Sequence, residues 1–100
     1  MCGIFSILNN VFHDKRLQKE FEKGYGRGPE NSKLIKYITG DNNINIFGFH
    51  RLAINGYNDS ASNQPFNIKN IILICNGEIY NWKQLYNMMG VEPITKSDCE

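Results

Sequence analysis

The stretch that decides the fold is Lys33-Leu34-Ile35-Lys36-Tyr37-Ile38-Thr39-Gly40-Asp41-Asn42-Asn43-Ile44-Asn45-Ile46-Phe47-Gly48-Phe49-His50-Arg51. Two β-prone runs, Lys33–Thr39 and Ile44–Arg51, flank Gly40-Asp41-Asn42-Asn43, which carries turn chemistry. The pattern reads as an antiparallel hairpin. On its N-terminal side, Cys2–Leu8 is short, apolar and β-prone, and reads as a buried strand. Asp14 can cap a helix running to about Lys23, with Leu17 and Phe21 as its apolar stripe and Gly24 where a helix stops. Tyr25–Ser32 reads as loop because Gly26, Gly28 and Pro29 crowd together. On the C-terminal side, Asn55–Gln64 is polar loop. Phe66–Ile68 and Ile71–Cys75 flank Lys69-Asn70 as a second hairpin. Asn81 can cap a helix over Trp82–Met89 that Gly90 ends. Strands and helices mix without βαβ alternation, so the predicted class is α+β with antiparallel sheet.

Composition narrows the function. The 100 residues allow one domain at most, and no repeat or flexible linker divides them. Apolar residues make up 41% of the chain, as in a globular protein. The formal charge of +1 leaves no basic face for a nucleic acid and no polybasic membrane anchor. The longest apolar run, Ile71–Cys75, is far too short to span a bilayer. Met1-Cys2-Gly3-Ile4-Phe5-Ser6 has no basic region ahead of an apolar stretch, which argues against a secretory leader. Three cysteines without a C-x-x-C pair make neither a disulfide framework nor a zinc site. A reducing, cytoplasmic setting is the simplest expectation.

Four places could carry chemistry. Once Met1 is removed, Cys2 bears a thiol and a free α-amine on one residue. An α-amine of pKa about 7.7–8.0 can serve as base for its own thiol; the plain alternative is a small apolar residue opening a strand. Asn76-Gly77-Glu78 follows the Ile71–Cys75 run. There a glycine N–H and an asparagine amide could face an oxyanion and the Glu78 carboxylate an ammonium, or the segment could be an ordinary turn. Arg51 ends an otherwise apolar strand. Its planar fork suits a carboxylate, unless it is an edge residue facing water. Asp98 stands in Ser97-Asp98-Cys99-Glu100, where the alternative is a helix cap. His13 and His50 have no ligand-spaced partners, so metal binding is not expected. Cys75 reads as an inert core residue, and Asp98 beside Cys99 disfavours a thiolate there.

Together these pieces resemble the class II glutamine amidotransferase domain. The resemblance runs through Met1-Cys2-Gly3-Ile4-Phe5, Arg27-Gly28-Pro29-Glu30, His50-Arg51-Leu52-Ala53-Ile54, Gln64-Pro65, Asn76-Gly77-Glu78-Ile79-Tyr80-Asn81 and Ser97-Asp98-Cys99-Glu100. Within the family the pattern is closest to the glutamine-hydrolysing asparagine synthetases. The resemblance implies an N-terminal nucleophile (Ntn) hydrolase fold, a four-layer αββα sandwich with antiparallel sheets. It implies Cys2 as nucleophile with its α-amine as base, and Asn76 with the Gly77 N–H as oxyanion hole. Arg51 would clamp the glutamine α-carboxylate. Asp98 and Glu78 would hold its α-ammonium, with the Ile54 backbone lining the pocket. The glutaminase step would need no metal or cofactor; ATP and Mg would belong to a synthetase domain absent from this chain.

The chain departs from the family at Gly26 and Glu30, where members commonly have His and Asp around the Arg-Gly-Pro run. It covers about half of a family glutaminase domain, so residues 1–100 read as the N-terminal half. The expected function is therefore the glutaminase half-reaction of an asparagine-synthetase-like amidotransferase, with glutamine and a synthetase domain or subunit as partners. Two alternatives stand beside it: a truncated, non-catalytic remnant or partner-dependent binding module, and a small thiol hydrolase pairing Cys2 with His50.

Overall fold

The computed structural model describes residues 1–100. The chain runs through β1 (Gly3–Ile7), α1 (Asp14–Glu22), a 3₁₀ turn at Tyr25–Arg27, β2 (Asn31–Ile38) and β3 (Ile44–Arg51). A second 3₁₀ turn at Ser60–Ser62 precedes β4 (Phe66–Ile68), β5 (Ile71–Leu73) and α2 (Trp82–Met89). β1, β3 and β2 form an antiparallel sheet with β3 in the middle, and β4 and β5 form a separate hairpin. The α+β class with antiparallel sheets is observed as expected.

β3 pairs along its whole length, from Ile38↔Ile44 to Asn31↔Arg51 on one side and from Ile7↔Ile46 to Gly3↔His50 on the other. Its alternation then sorts its residues by face. Ile46, Gly48 and His50 turn toward α1, whose Leu17 and Phe21 are buried against the sheet. The Phe21 ring stacks on His50 at 4.0 Å between centroids and meets Phe5 edge-on at 5.8 Å. Phe49 and Arg51 turn to the opposite face, where a cavity lies.

His50 is a core residue with both ring nitrogens satisfied. Nε2 lies 2.7 Å from the Phe21 carbonyl and Nδ1 2.7 Å from the Ser32 hydroxyl. A carbonyl only accepts, so Nε2 carries the proton, and Nδ1 accepts from Ser32 when the ring is neutral. His50 sits across from Gly3, on the face away from the cavity that Cys2 enters. A Cys2–His50 catalytic pair is thereby ruled out.

Several boundaries differ from expectation. Asp14 is not the cap of α1: His13 holds that position without a side-chain bond, and Asp14 instead accepts from Lys36 Nζ at 2.9 Å. β2 starts at Asn31 rather than Lys33, because the backbone opposite Arg51 extends the ladder regardless of side chain. β5 stops at Leu73 rather than Cys75. Its partner strand runs back into Pro65, which has no N–H to donate. The Gln64 side chain takes over, accepting from Cys75 N at 2.6 Å and donating to Cys75 O at 3.1 Å. Nor is Cys2–Leu8 the buried strand expected, since Ile4 is 54% exposed on an edge strand, and in β5 Ile71 is 70% exposed. Asn81 precedes α2 without bonding through its side chain, whereas Gly90 ends α2 as expected, with φ +65° in the left-handed region. The β4–β5 turn places Lys69 and Asn70 at φ 49° and 66°, the geometry of a tight two-residue hairpin.

Only 16 of the 100 residues are buried, and α2 buries none. The molecule is 18 Å along its shortest axis, room for two layers about 10 Å apart. The well-formed core is the α1–sheet interface, and two glycines keep it closed. A Cβ on Gly48 would stand 2.6 Å from the Phe21 ring and 2.8 Å from Leu34. A Cβ on Gly28 would stand 2.4 Å from the backbone of His50 and Arg51. Side chains can yield and a paired strand cannot. Gly48→Ala should therefore cost about 1–3 kcal/mol and Gly28→Ala at least as much, measured by urea unfolding. An unchanged midpoint for Gly28→Ala would contradict this packing.

Candidate active site

A cavity of about 270 Å³ opens on the face of the main sheet opposite α1. Every residue that the family resemblance assigns to the site lines it, whereas His50 does not. Cys2 reaches it from the start of β1, Arg51 from the end of β3 and Ile54 from the loop that follows. Asn76, Gly77 and Glu78 come from the segment after β5, and Asp98 from the C-terminal segment. The local folding explains the convergence: strand ends and the loops beyond them gather at one end of the sheet.

The Cys2 thiol is half-buried between the backbone groups of Leu52: the Leu52 N–H points at Sγ from 3.3 Å, and Sγ lies 3.4 Å from the Leu52 carbonyl. The Arg27-Gly28-Pro29-Glu30 loop braces this corner. Arg27 Nε donates to the Cys2 carbonyl at 3.1 Å, and Glu30 Oε2 accepts from Ala53 N at 3.2 Å.

Arg51 is 8% exposed on a central strand, so it is no edge residue facing water. Its Nη1 donates to Asp59 O (3.1 Å) and Asn63 Oδ1 (2.8 Å), and its Nη2 to Asn55 O (2.9 Å) and Gly56 O (2.7 Å). All four acceptors are neutral. Asp98 is likewise 8% exposed and caps no helix. Its Oδ1 accepts from Asn55 Nδ2 at 3.2 Å and its Oδ2 from Ile79 N at 2.6 Å. The two salt bridges of the chain, Lys23–Glu20 and Lys36–Asp14, lie elsewhere on the surface. The cavity thus carries one buried cation and one buried anion, neither paired with an opposite charge. Buried charges ordinarily find counter-charges, and a zwitterionic α-amino acid presents both.

Gly77 differs from the glycines of the core. A Cβ there would meet nothing within 4 Å, and its φ is not in the left-handed region. Neither crowding nor backbone conformation within the chain demands glycine at this place.

Several lining residues were not assigned to the site from sequence. Asn55 bridges the two charges, giving its carbonyl to Arg51 and its amide to Asp98. In a chain rich in asparagine nothing distinguished it. Tyr80 lines the cavity, and its hydroxyl is pushed up in pKa, chiefly by a hydrogen bond to the Glu78 carboxylate. Cys75 and Cys99 are also in the wall, so Cys75 is not the inert core residue expected. Cys99 is pushed up to about 12, first by burial, then by the neighbouring Cys75 and the Asp98 charge. No group of three His, Cys, Asp or Glu side chains is placed to hold a metal ion, and no helix is long and apolar enough to cross a membrane.

A family model described as a glutamine amidotransferase domain matches residues 1–100, and the chain belongs to that family. Among curated relatives, it is 42% identical over 107 aligned residues to a probable glutamine-hydrolyzing asparagine synthetase of Acanthamoeba polyphaga mimivirus. It is 35% identical over 106 to the glutamine-hydrolyzing asparagine synthetase of Gallus gallus. Both matches take in all of this chain but only 18% of the relative. No solved structure matches it significantly.

The C-terminal segment that carries Asp98 is anchored by Asp59, whose carboxylate accepts from Ser62 Oγ (2.7 Å), Lys96 N (3.0 Å) and Ala61 N (3.1 Å). These bonds, that from Ser62 foremost, hold the Asp59 carboxyl below its usual pKa. A lowered carboxyl pKa stabilises the fold above the ordinary Asp value of about 3.9, and the gain is lost as pH falls through the lowered value. Melting temperature should therefore drop on acidification below about pH 4. Asp59→Asn should melt lower at neutral pH and show a shallower acid limb; parallel curves would remove Asp59 from this role.

Proposed function

We propose that the chain carries the glutamine-hydrolysing site of an asparagine-synthetase-like amidotransferase. The observation that carries this reading is the pair of buried, mutually unpaired charges, Arg51 and Asp98, in one cavity with a thiol. In it the α-ammonium of glutamine sits against Asp98 and Glu78, near the Ile54 backbone. The α-carboxylate goes to Arg51, where a charged acceptor outcompetes the neutral loop carbonyls that now fill its fork. The side-chain amide then points to Cys2.

With Met1 removed, the Cys2 α-amine takes the thiol proton and the thiolate attacks the amide carbon. The Asn76 amide and the Gly77 N–H donate to the oxyanion. Ammonia leaves and water hydrolyses the glutamyl thioester. The freedom of Gly77 from internal packing supports this role, since close approach of a substrate is then what calls for glycine. ATP and Mg²⁺, which asparagine formation would need, belong in this reading to a synthetase domain or subunit outside these residues.

In this reading residues 1–100 are the N-terminal half of the domain, and the three-stranded sheet and the β4–β5 hairpin are portions of the two sheets of a four-layer αββα sandwich. The bare α2 and the exposed Ile71 favour a form completed by further chain or a partner subunit. Free thiols fit a cytoplasmic setting.

Ammonia release from glutamine is the test, made on Met1-processed protein confirmed by mass spectrometry. Cys2→Ala should abolish it and Cys75→Ala retain it; equal loss in both would sink the nucleophile assignment. Gly77→Ala should leave stability within about 0.5 kcal/mol and still lower kcat. Arg51→Ala should raise KM by the equivalent of roughly 2–5 kcal/mol, with partial rescue by Arg51→Lys. A loss of stability without a change in KM would show that Arg51 only organises the loop.

A further inference from the structure

All three cysteines of the chain border one cavity, yet they are held differently. Cys2 is engaged with Leu52 at the sheet. Cys75 is fixed through its backbone by Gln64. Cys99 is 6% exposed, its N–H donates to Ser97 Oγ at 3.1 Å, and its thiol donates to the Gly77 carbonyl at 3.5 Å. That carbonyl is only two residues beyond Cys75, which brings the Cys99 sulfur beside the start of the same segment. Cys75 and Cys99 line the same cavity wall, and the neighbouring Cys75 is one cause of the raised Cys99 pKa. We propose that Cys75 and Cys99 are a modification site, forming a reversible intramolecular disulfide that fastens the Asn76–Glu78 segment to the Asp98 segment.

The oxidant is a low-molecular-weight aliphatic disulfide such as oxidised glutathione. Half-buried Cys75 is the entry point, because Cys99 is more buried and its burial holds it as the thiol. The Cys75 thiolate attacks one sulfur of the oxidant and expels a thiolate, leaving a mixed disulfide. Cys99 loses its proton to solvent and attacks the Cys75 sulfur, expelling the second thiolate. The two protein thiols give up two electrons and two protons, and the oxidant becomes two thiols. Ring closure joins two segments that already border one cavity and already meet through the Cys99 thiol and the Gly77 carbonyl. Oxidation also removes the Cys99 donor from the Gly77 carbonyl. If the glutaminase reading holds, the oxyanion donors of Asn76 and Gly77 shift and activity falls.

The test incubates the native full chain with oxidised glutathione, then counts thiols and maps peptides after alkylation. The expected result is a fall from three free thiols to one, with Cys75 linked to Cys99 and Cys2 alkylated. Cys99→Ala should stop at a stable glutathione adduct on Cys75, and Cys75→Ala should form no internal disulfide. A disulfide that includes Cys2, a persistent adduct on wild-type Cys75, or three thiols surviving the oxidant would each overturn the proposal. Ammonia release, measured in parallel, should fall on oxidation and return with dithiothreitol. Absence of activity in the reduced protein would count against the glutaminase reading alone and leave the thiol count and peptide map to decide the disulfide.

Discussion

Adjacent residues of a strand point to opposite faces, and in β3 that alternation separates His50 from Arg51. Much of the rest depends on this separation. Because β3 is paired on both sides, its register cannot slip by one residue without turning each of its side chains to the wrong face. His50 is thereby committed to the core, stacked on Phe21 and bonded to Ser32 and the Phe21 carbonyl. Arg51 is committed to the cavity. The same alternation in β1 sends Gly3 toward the core side and brings Cys2 to the cavity. Gly28, pressed against the His50–Arg51 backbone, closes the arrangement from the edge.

The site is built less by a hydrophobic core than by side chains bonding to backbone. Arg51 gathers Asn55, Gly56, Asp59 and Asn63. Asp59 holds Lys96, Asp98 holds Ile79, and Gln64 holds Cys75. Buried backbone groups outside a ladder need such partners, and here three of the partners, Arg51, Gln64 and Asp98, also border the cavity. Structure and site chemistry therefore share atoms. Removing Asp59, which does not line the cavity, would disturb it without touching anything bound in it.

The proposed glutamine specificity rests on the charge arrangement of the cavity. A buried cation and a buried anion that avoid each other would be costly in an empty core. Neutral hydrogen-bond partners lower that cost but leave each charge without a counter-ion. A ligand with a carboxylate and an ammonium on one carbon would supply both, which is the basis for proposing glutamine there rather than an amide lacking an α-amino acid head.

The sequence by itself determined most of the elements and named much of the lining of the proposed site. Leu17 and Phe21 at helical spacing, the Gly40–Asn43 turn between two β-prone runs, and Lys69-Asn70 in a hairpin were legible because periodicity and turn chemistry are local. The residues of the site were legible as separate motifs, each unusual for its setting: an Arg ending an apolar strand, Asn-Gly-Glu after another, a Cys beside the N-terminus. Only the tertiary structure decided which of them meet. It placed His50 away from Cys2, found Asn55 between the two charges, and brought Cys75 and Cys99 to one wall. It also replaced the last β5 pairs with the Gln64 side chain and left Ile71 exposed, since burial is a property of what packs on a strand and not of its own residues. Local sequence fixes which way a side chain alternates; register and the closure of loops, which join residues far apart in the chain, decide what it faces.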